Sequence, residues 1–361
     1  MPGYDEIAGY ARLVLSDEGL PMSSSGADRT PEQMVRLLAG FEVSQALYAF
    51  TKLDIATVMH GGVRAVDEIA RRVEVDETAL KRLLRTLTGV GVVEQRGEIE
   101  FAITDFGATL ADGTEGSLRD MALMLMETHY RPFERFVDTV RTGEPAFDIH
   151  YGQSFFEWVT AEPERAELVS AGMASMTDSV QGDVFAGYRL PDGDLVADIG
   201  GADGSVLTRL IRDEPARRGI VFDLPEVVSA AATRVSEAAV VGRISLVGGD
   251  FFDGVPAADV YVLSTVLHDW DDASCGVLLG RIVAAARPGA RLVLVETIMP
   301  VTNEPHFSKQ SDLTMLGMVR GRERTLAEFT DVLAAAGFVV DRLVPTPPTS
   351  PYGIVEATLA P

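Results

Sequence analysis

The stretch LVADIGGADGSVLTRLI, Leu195 to Ile211, leaves the chain few choices of fold. An apolar run ending in Asp198 predicts a strand. Gly200, Gly201 and Gly204 predict a tight turn, and Val206, Leu207, Leu210 and Ile211 share one face of a following helix. Glycines at such a turn let the backbone bend sharply and approach a ligand at the helix N-terminus, where several N–H groups lack intrahelical partners. A nucleotide-like guest suits the place. The spacing departs from G-x-G-x-x-G, because position 202 is Ala and Asp203 sets a carboxylate beside the turn. That acid is a poor neighbour for a pyrophosphate and a tolerable one for a cationic ligand.

From Leu195 onward strand and helix patterns alternate. Strands are expected near Leu195–Gly200, Gly219–Asp223, Ile244–Gly248, Asp259–Ser264 and Arg291–Glu296. These near-continuous apolar runs suit a parallel sheet covered on both faces. Ligands of such sheets bind beyond the carboxyl ends of the strands, so chemistry is sought in the residues just after each one. Asp223 closes the second strand and can accept both hydroxyls of a ribose; capping the helix after Pro225 is its competing role. Asp250 and Phe251 follow the third, placed for an adenine amine and ring, with one of Phe251 and Phe252 expected in the core. No Lys or Arg stands in the glycine turn or beside these acids to hold phosphates. S-adenosylmethionine, an adenosine with a sulfonium and no phosphate, therefore fits better than NAD or ATP. His268 follows the fourth strand and is the candidate general base. Glu296, ending the fifth strand, and Glu323, in the turn GRERT, are candidate supports for it. For Glu323 a helix-dipole role competes.

Composition narrows the partners. With 31 basic against 54 acidic residues the formal charge is −23, which repels nucleic acid and anionic membrane surfaces. The 361 residues suffice for two domains. A single cysteine, Cys275, excludes an intrachain disulfide framework and any multi-cysteine metal cluster; it reads as apolar filler on a helix. MPGYDEIAGYARLVLSDEGL lacks the basic start and apolar core of a secretion signal, and no apolar run reaches the ~18 residues of a membrane span. A cytoplasmic protein is expected.

Before Thr30, PMSSSGAD reads as a polar arm. Thr30 caps a helix opened by Pro31, whose apolar face runs through Met34, Leu37, Leu38 and Phe41 to Leu47 and Phe50, too apolar for a solitary surface helix. From Ala65 two short helices and a hairpin with Arg96 and Gly97 at its tip form a winged helix. Lys81, Arg82 and Arg85 would suit DNA, but Glu74, Asp76 and Glu77 crowd the helix start, so a core or dimer-forming role is preferred. Methionine-rich helices around Met121, Met173 and Met176 read as core filler or as walls of a pocket for a flat ligand, with the aromatic stretch TGEPAFDIHYGQSFFEWV between them.

The series DIGGADG, FDLP, GGDFF, LHDWDD, VETIMP and GRERT, after a winged-helix segment, resembles the S-adenosylmethionine-dependent O-methyltransferases of the plant caffeate and bacterial polyketide-tailoring type. The resemblance covers nearly the whole chain. It implies an α/β fold, a Rossmann-like methyltransferase sheet with a mostly helical N-terminal winged-helix dimerisation domain. The division expected is 1–115 for arm and winged helix, 116–185 for linking helices along the acceptor pocket and 186–361 for the catalytic domain. It implies Gly200 at the cofactor's methionine end, Asp223 on its ribose, Asp250 and Phe251 at its adenine, and His268 as base flanked by Glu296 and Glu323. Met173 and Met315 resemble the pair that sandwiches an aromatic acceptor. Ser264 stands where the plant enzymes carry a lysine near the adenine. A homodimer closing each partner's site, S-adenosyl-L-homocysteine as product and no metal are further expectations. Relatives of this fold that hydroxylate or decarboxylate form the alternative class, and a winged-helix regulator a second; keeping His268 favours methyl transfer.

A phenol of pKa ~10 costs about 4 kcal/mol to ionise at pH 7, and an imidazole of ordinary pKa ~6.5 can take its proton during attack.

Overall fold

The structure is a computed structural model and describes residues 30–237, 240–287, 289–347 and 350–361. The arm expected before Thr30 lies outside the described residues. Two compact units divide after Met126. Among the described residues, no helix is long and apolar enough to cross a membrane.

In the first unit, the Thr30 hydroxyl accepts the Gln33 N–H and the Gln33 side chain answers to the Thr30 N–H, a capping box that starts the helix Pro31–Leu38. The apolar stripe does not stay on one rod. The helix stops at Ala39 and a second runs Gly40–Lys52. Phe50 is buried, whereas Met34, Leu37, Leu38 and Phe41 are 56 to 71% exposed in the single chain. The helices Val66–Arg72 and Glu77–Thr88 and the antiparallel hairpin of β1 (Val93–Gln95) and β2 (Phe101–Ile103) complete the winged helix. Asp76, one of the acids that argued against DNA, caps its second helix by accepting the Ala79 N–H at 2.7 Å. Ile55, Ile69, Leu84, Leu87 and Phe101 form this unit's core.

The second unit is built on a seven-stranded sheet of order β5-β4-β3-β6-β7-β9-β8. The strands β3 (Leu195–Ile199), β4 (Arg218–Asp223), β5 (Ile244–Gly248), β6 (Val260–Ser264) and β7 (Arg291–Thr297) are parallel, as the apolar runs predicted. β8 (Phe338–Val344) and β9 (Tyr352–Leu359) add an antiparallel edge that those runs did not include. Alternate residues serve opposite layers: Val196, Val260, Val262 and Val293 face one core, and Ala197, Tyr261, Leu263 and Leu292 the other. Both faces are covered, which is why the strands are apolar throughout. The chain winds outward from β3 in one direction and from β6 in the other. The crevice between their carboxyl ends is therefore the switch point at which sheets of this kind bind ligands.

Candidate active site

One wall of the crevice is the glycine turn after β3. Gly200 has φ of +71°, and a Cβ there would meet Val266 at 2.8 Å, so its left-handed backbone and its close approach to the loop after β6 both require glycine. Ala202, at the position that broke the glycine spacing, also takes a positive φ of 43°. Its N–H donates to Asp223 Oδ2 at 2.9 Å, which offsets the strain. The other oxygen of Asp223 accepts the Leu224 N–H at 2.7 Å. The carboxylate is thus fixed between two backbone donors, and its remaining lone pairs can still take hydroxyls. Burial nevertheless raises its pKa against those two bonds.

Asp198 was read from sequence only as the end of an apolar strand. It is 1% exposed and neither carboxyl oxygen has a side-chain hydrogen-bond partner among the described residues. Burial first, then the like charges of Asp223 and Asp203, push it up to about 7, partly offset by the Leu207 N–H. An acid closing an otherwise apolar strand was the signal available.

Asp250 accepts the Phe252 N–H at 2.8 Å and is exposed. Neither Phe251 nor Phe252 enters the core alone. Both are half-buried and meet the Trp270 ring edge-on, at centroid distances of 5.8 and 4.7 Å. Trp270 in turn stacks on Phe156 at 5.2 Å. Ser264, at the end of β6, is buried with its hydroxyl unpartnered.

The other wall carries His268, on a short 3-10 turn, Leu267–Asp269, and 6% exposed. Glu296, at the end of β7, holds the turn's start: its Oε1 accepts the Val266 and Leu267 N–H groups at 3.1 and 2.9 Å. Glu323 holds the ring. His268 Nδ1 lies 3.0 Å from Glu323 Oε1, 3.8 Å from Glu296 Oε2, and Nε2 lies 3.6 Å from Asp269 Oδ1. Glu323 also accepts the hydroxyls of Thr297 and of Ser311, the latter at 2.6 Å, and donates its N–H to Asp312. The helix Leu326–Ala335 is capped instead by Thr325 with Glu328, so the helix-dipole role falls to them and Glu323 serves the ring.

Burial alone would lower the imidazole's pKa, but Glu296, Asp269 and Glu323 outweigh it and lift it to about 10. This overturns the ordinary value used in the sequence argument. Burial, reinforced by the neighbouring acids, raises Glu296 to about 7 and Asp269 to about 6, each partly offset by His268. Glu323 is also pushed up by burial, yet ends below the usual range through its bonds to His268, Ser311 and Thr297. His268, Glu296 and Glu323 offer ligand atoms within 4.8 Å of one another, a spacing a metal ion could use; Glu323 Oε1 is bonded to His268 Nδ1, whereas Glu296 Oε2 has no hydrogen-bond partner among the described residues.

Met315 packs on a cluster of Phe147, Trp158, Val159, Met318 and Val319, bordered by Phe133, Tyr151, Phe155 and Phe156. Met173 is half-buried on the helix Pro163–Met176 and lies outside that cluster. Asp269 and Trp270 lie within LHDWDD, but nothing in that motif by itself gives either a role.

Residues 133–339 match the O-methyltransferase domain, and residues 35–113 match the O-methyltransferase dimerisation domain. The phenazine O-methyltransferase PhzM of Lysobacter antibioticus is 37% identical over 92% of this chain and 97% of its own. The O-demethylpuromycin-O-methyltransferase of Streptomyces alboniger is 34% identical over 90% and 88%. Among solved structures, the neocarzinostatin-biosynthesis O-methyltransferase NcsB1, bound to S-adenosylmethionine and 2-hydroxy-5-methyl naphthoic acid, superposes with a TM-score of 0.78 at 31% identity, over 92% of this chain and all of that one. With more than half of the chain inside the domain match and these relatives aligned along most of their length, the chain belongs to the O-methyltransferase family.

Proposed function

We propose that this O-methyltransferase methylates a hydroxyl of a flat aromatic small molecule with S-adenosylmethionine, His268 taking the hydroxyl proton. The observation that carries the proposal is the orientation of the ring: Nδ1 is committed to Glu323 at 3.0 Å, which leaves Nε2 as the proton acceptor of the neutral ring.

The residues of the glycine wall suit the cofactor. Asp198 is a buried carboxylate with no side-chain partner, matched in sign to a cationic sulfonium or ammonium. Gly200 admits close approach, Asp223 can hold the ribose hydroxyls, and Asp250, Phe251 and Ser264 would border the adenine. When bound, the sulfonium supplies an activated methyl group. His268 then accepts the acceptor's proton at Nε2. Its raised affinity, near that of a phenol at ~10, makes that transfer close to balanced. It also keeps the ring protonated at neutral pH, so the reaction draws on the neutral fraction of His268 and the rate should rise as pH climbs toward about 10. Glu323, Glu296 and Asp269 stabilise the imidazolium that results, so the cost of forming it falls on charges already in place.

For the acceptor, the aromatic and methionine cluster around Met315 supports a planar ring, in line with the phenazine and naphthoic acid in the relatives' names. Met173 is retained as its second contact on the resemblance alone. A homodimer is supported by the dimerisation-domain match and by the exposed face of Met34, Leu37, Leu38 and Phe41, which a second copy would cover. The test is incubation with methyl-labelled cofactor and a panel of phenols. Label is expected in a phenol ether, and is expected to vanish in His268→Gln; a His268→Gln enzyme of full activity would sink the proposal.

A further inference from the structure

Arg324 is fully buried, the largest side chain in the described chain to be so. A buried guanidinium is tolerated only when its donors are used, and here every nitrogen is engaged. Nη1 donates to the Leu267 carbonyl at 2.8 Å; Nη2 donates to the Trp270 carbonyl at 2.8 Å and to Asp272 Oδ1 at 2.7 Å; Nε donates to the same Asp272 oxygen at 3.1 Å. Leu267 and Trp270 are the residues on either side of His268 and Asp269. The guanidinium therefore spans the turn that carries the imidazole and fixes both of its ends.

The same short segment grips that turn twice more. Gly321 lies so close to it that a Cβ would collide with the His268 carbonyl, and Glu323 holds Nδ1. The segment is itself anchored to the end of β7, through the Met299 N–H donating to the Arg324 carbonyl at 2.9 Å. Side chains of adjacent residues thus hold the ring and the backbone beneath it separately: Glu323 sets rotation and charge, Arg324 sets position.

We infer that Arg324 is a positioning residue for the reaction, acting through His268 by clamping the carbonyls of Leu267 and Trp270. The inference rests on the reading of His268 as the proton acceptor. Loosening the clamp lets the ring drift from Glu323, Glu296 and Asp269, and a displacement on the order of 1 Å at a reacting group can cost about 100-fold in rate.

The experiment compares Arg324→Lys, Arg324→Ala and His268→Gln with wild type, measuring folding by circular dichroism, cofactor affinity by calorimetry, and kcat and KM across pH. Arg324→Ala is expected to lose about 100-fold in kcat and Arg324→Lys about 10-fold, since one ammonium cannot span two carbonyls. Cofactor affinity and acceptor KM stay close to wild type. The inflection in the pH–kcat profile moves down toward the ordinary imidazole value, because the carboxylates no longer press on the ring. Added guanidinium ion restores part of the rate of Arg324→Ala and none of that of His268→Gln. Wild-type kcat in a folded Arg324 variant overturns the inference. So does a loss that tracks unfolded protein with an unmoved profile. If both variants fail to fold, Asp272→Asn loosens the clamp from its exposed end: a lowered kcat with a displaced profile supports the inference, and an unchanged profile overturns it. Full activity in His268→Gln removes the reading of the base itself, whereas a dead His268→Gln beside wild-type Arg324 variants removes only the role of Arg324.

Discussion

Asp198 and Glu323 are both carboxylates buried to within a few per cent, at 1 and 4% exposure, one on each wall of the same crevice. Glu323 accepts from His268, Thr297 and Ser311, and its pKa sits below the usual range. Asp198 has no side-chain donor, and burial and then acids of its own sign push it up to about 7 against the one backbone group that favours its charge, the Leu207 N–H. A buried acid whose partners lie within the chain is a finished device. One without side-chain partners carries a cost that the proposed binding of a cation from outside would offset. Under the proposed function this difference gives the walls different work, the His268 side taking the proton and the glycine side receiving a cation.

The largest effect expected is on the first wall alone. His268→Gln should lower kcat by about 1,000-fold, the scale of a lost general base, with cofactor affinity by calorimetry unchanged. A fall in cofactor affinity would mean the two walls are not separate. Asp223→Ala should do the reverse, weakening cofactor binding by roughly 10- to 100-fold while kcat at saturation stays near wild type. Unaltered affinity there would remove the ribose role.

A sharper probe of the contrast is Asp198→Asn. A cation beside Asp198 favours its charged form, so cofactor binding near pH 7 should release a proton, visible as buffer-dependent heats, and affinity should climb from pH 6 to 8. In Asp198→Asn the proton release should disappear. The cofactor-free variant should also melt higher than wild type at pH 8, since an uncompensated buried charge is gone. A lower melting temperature would show that Asp198 has a partner in the folded chain after all.

The smallest effect concerns stability at the other wall. The folded pKa of His268, about 10, lies above its unfolded value. The imidazolium's contribution is therefore fully present below ~6.5 and lost as pH rises through about 10. Any margin in melting temperature of wild type over His268→Gln should shrink across that window, by about 2 to 4 °C per kcal/mol lost. Scanning calorimetry of both proteins at matched pH would detect a margin that instead grows.

Much of this fold was readable in runs of neighbouring residues. The five parallel strands came from their apolar runs, the cap at Thr30 from Thr-Pro, and the turn at Gly200 from its glycines, which structure confirms by a positive φ. β8 and β9 were missed, and the expected apolar face from Met34 to Phe50 was divided at Ala39, because neither strand pairing nor a break between helices is decided by composition alone. Glu323 was found by resemblance, with a local competitor, the helix dipole, that only Thr325 and Glu328 could relieve of the task. Arg324, next to it in GRERT, carries no role in the sequence reading, because nothing local marks an arginine as buried.

The sequence by itself determined the alternation of strand and helix, the glycine turn, the winged helix and the residues that follow each strand, because periodicity, capping and backbone freedom act over a few residues. Tertiary structure alone decided that Glu323, 55 positions from His268 in the chain, holds its ring, that three carboxylates raise that ring's pKa, and that Asp198 is left without a side-chain partner. Charges act through space, so their balance exists only once the order of strands has set the distances between them.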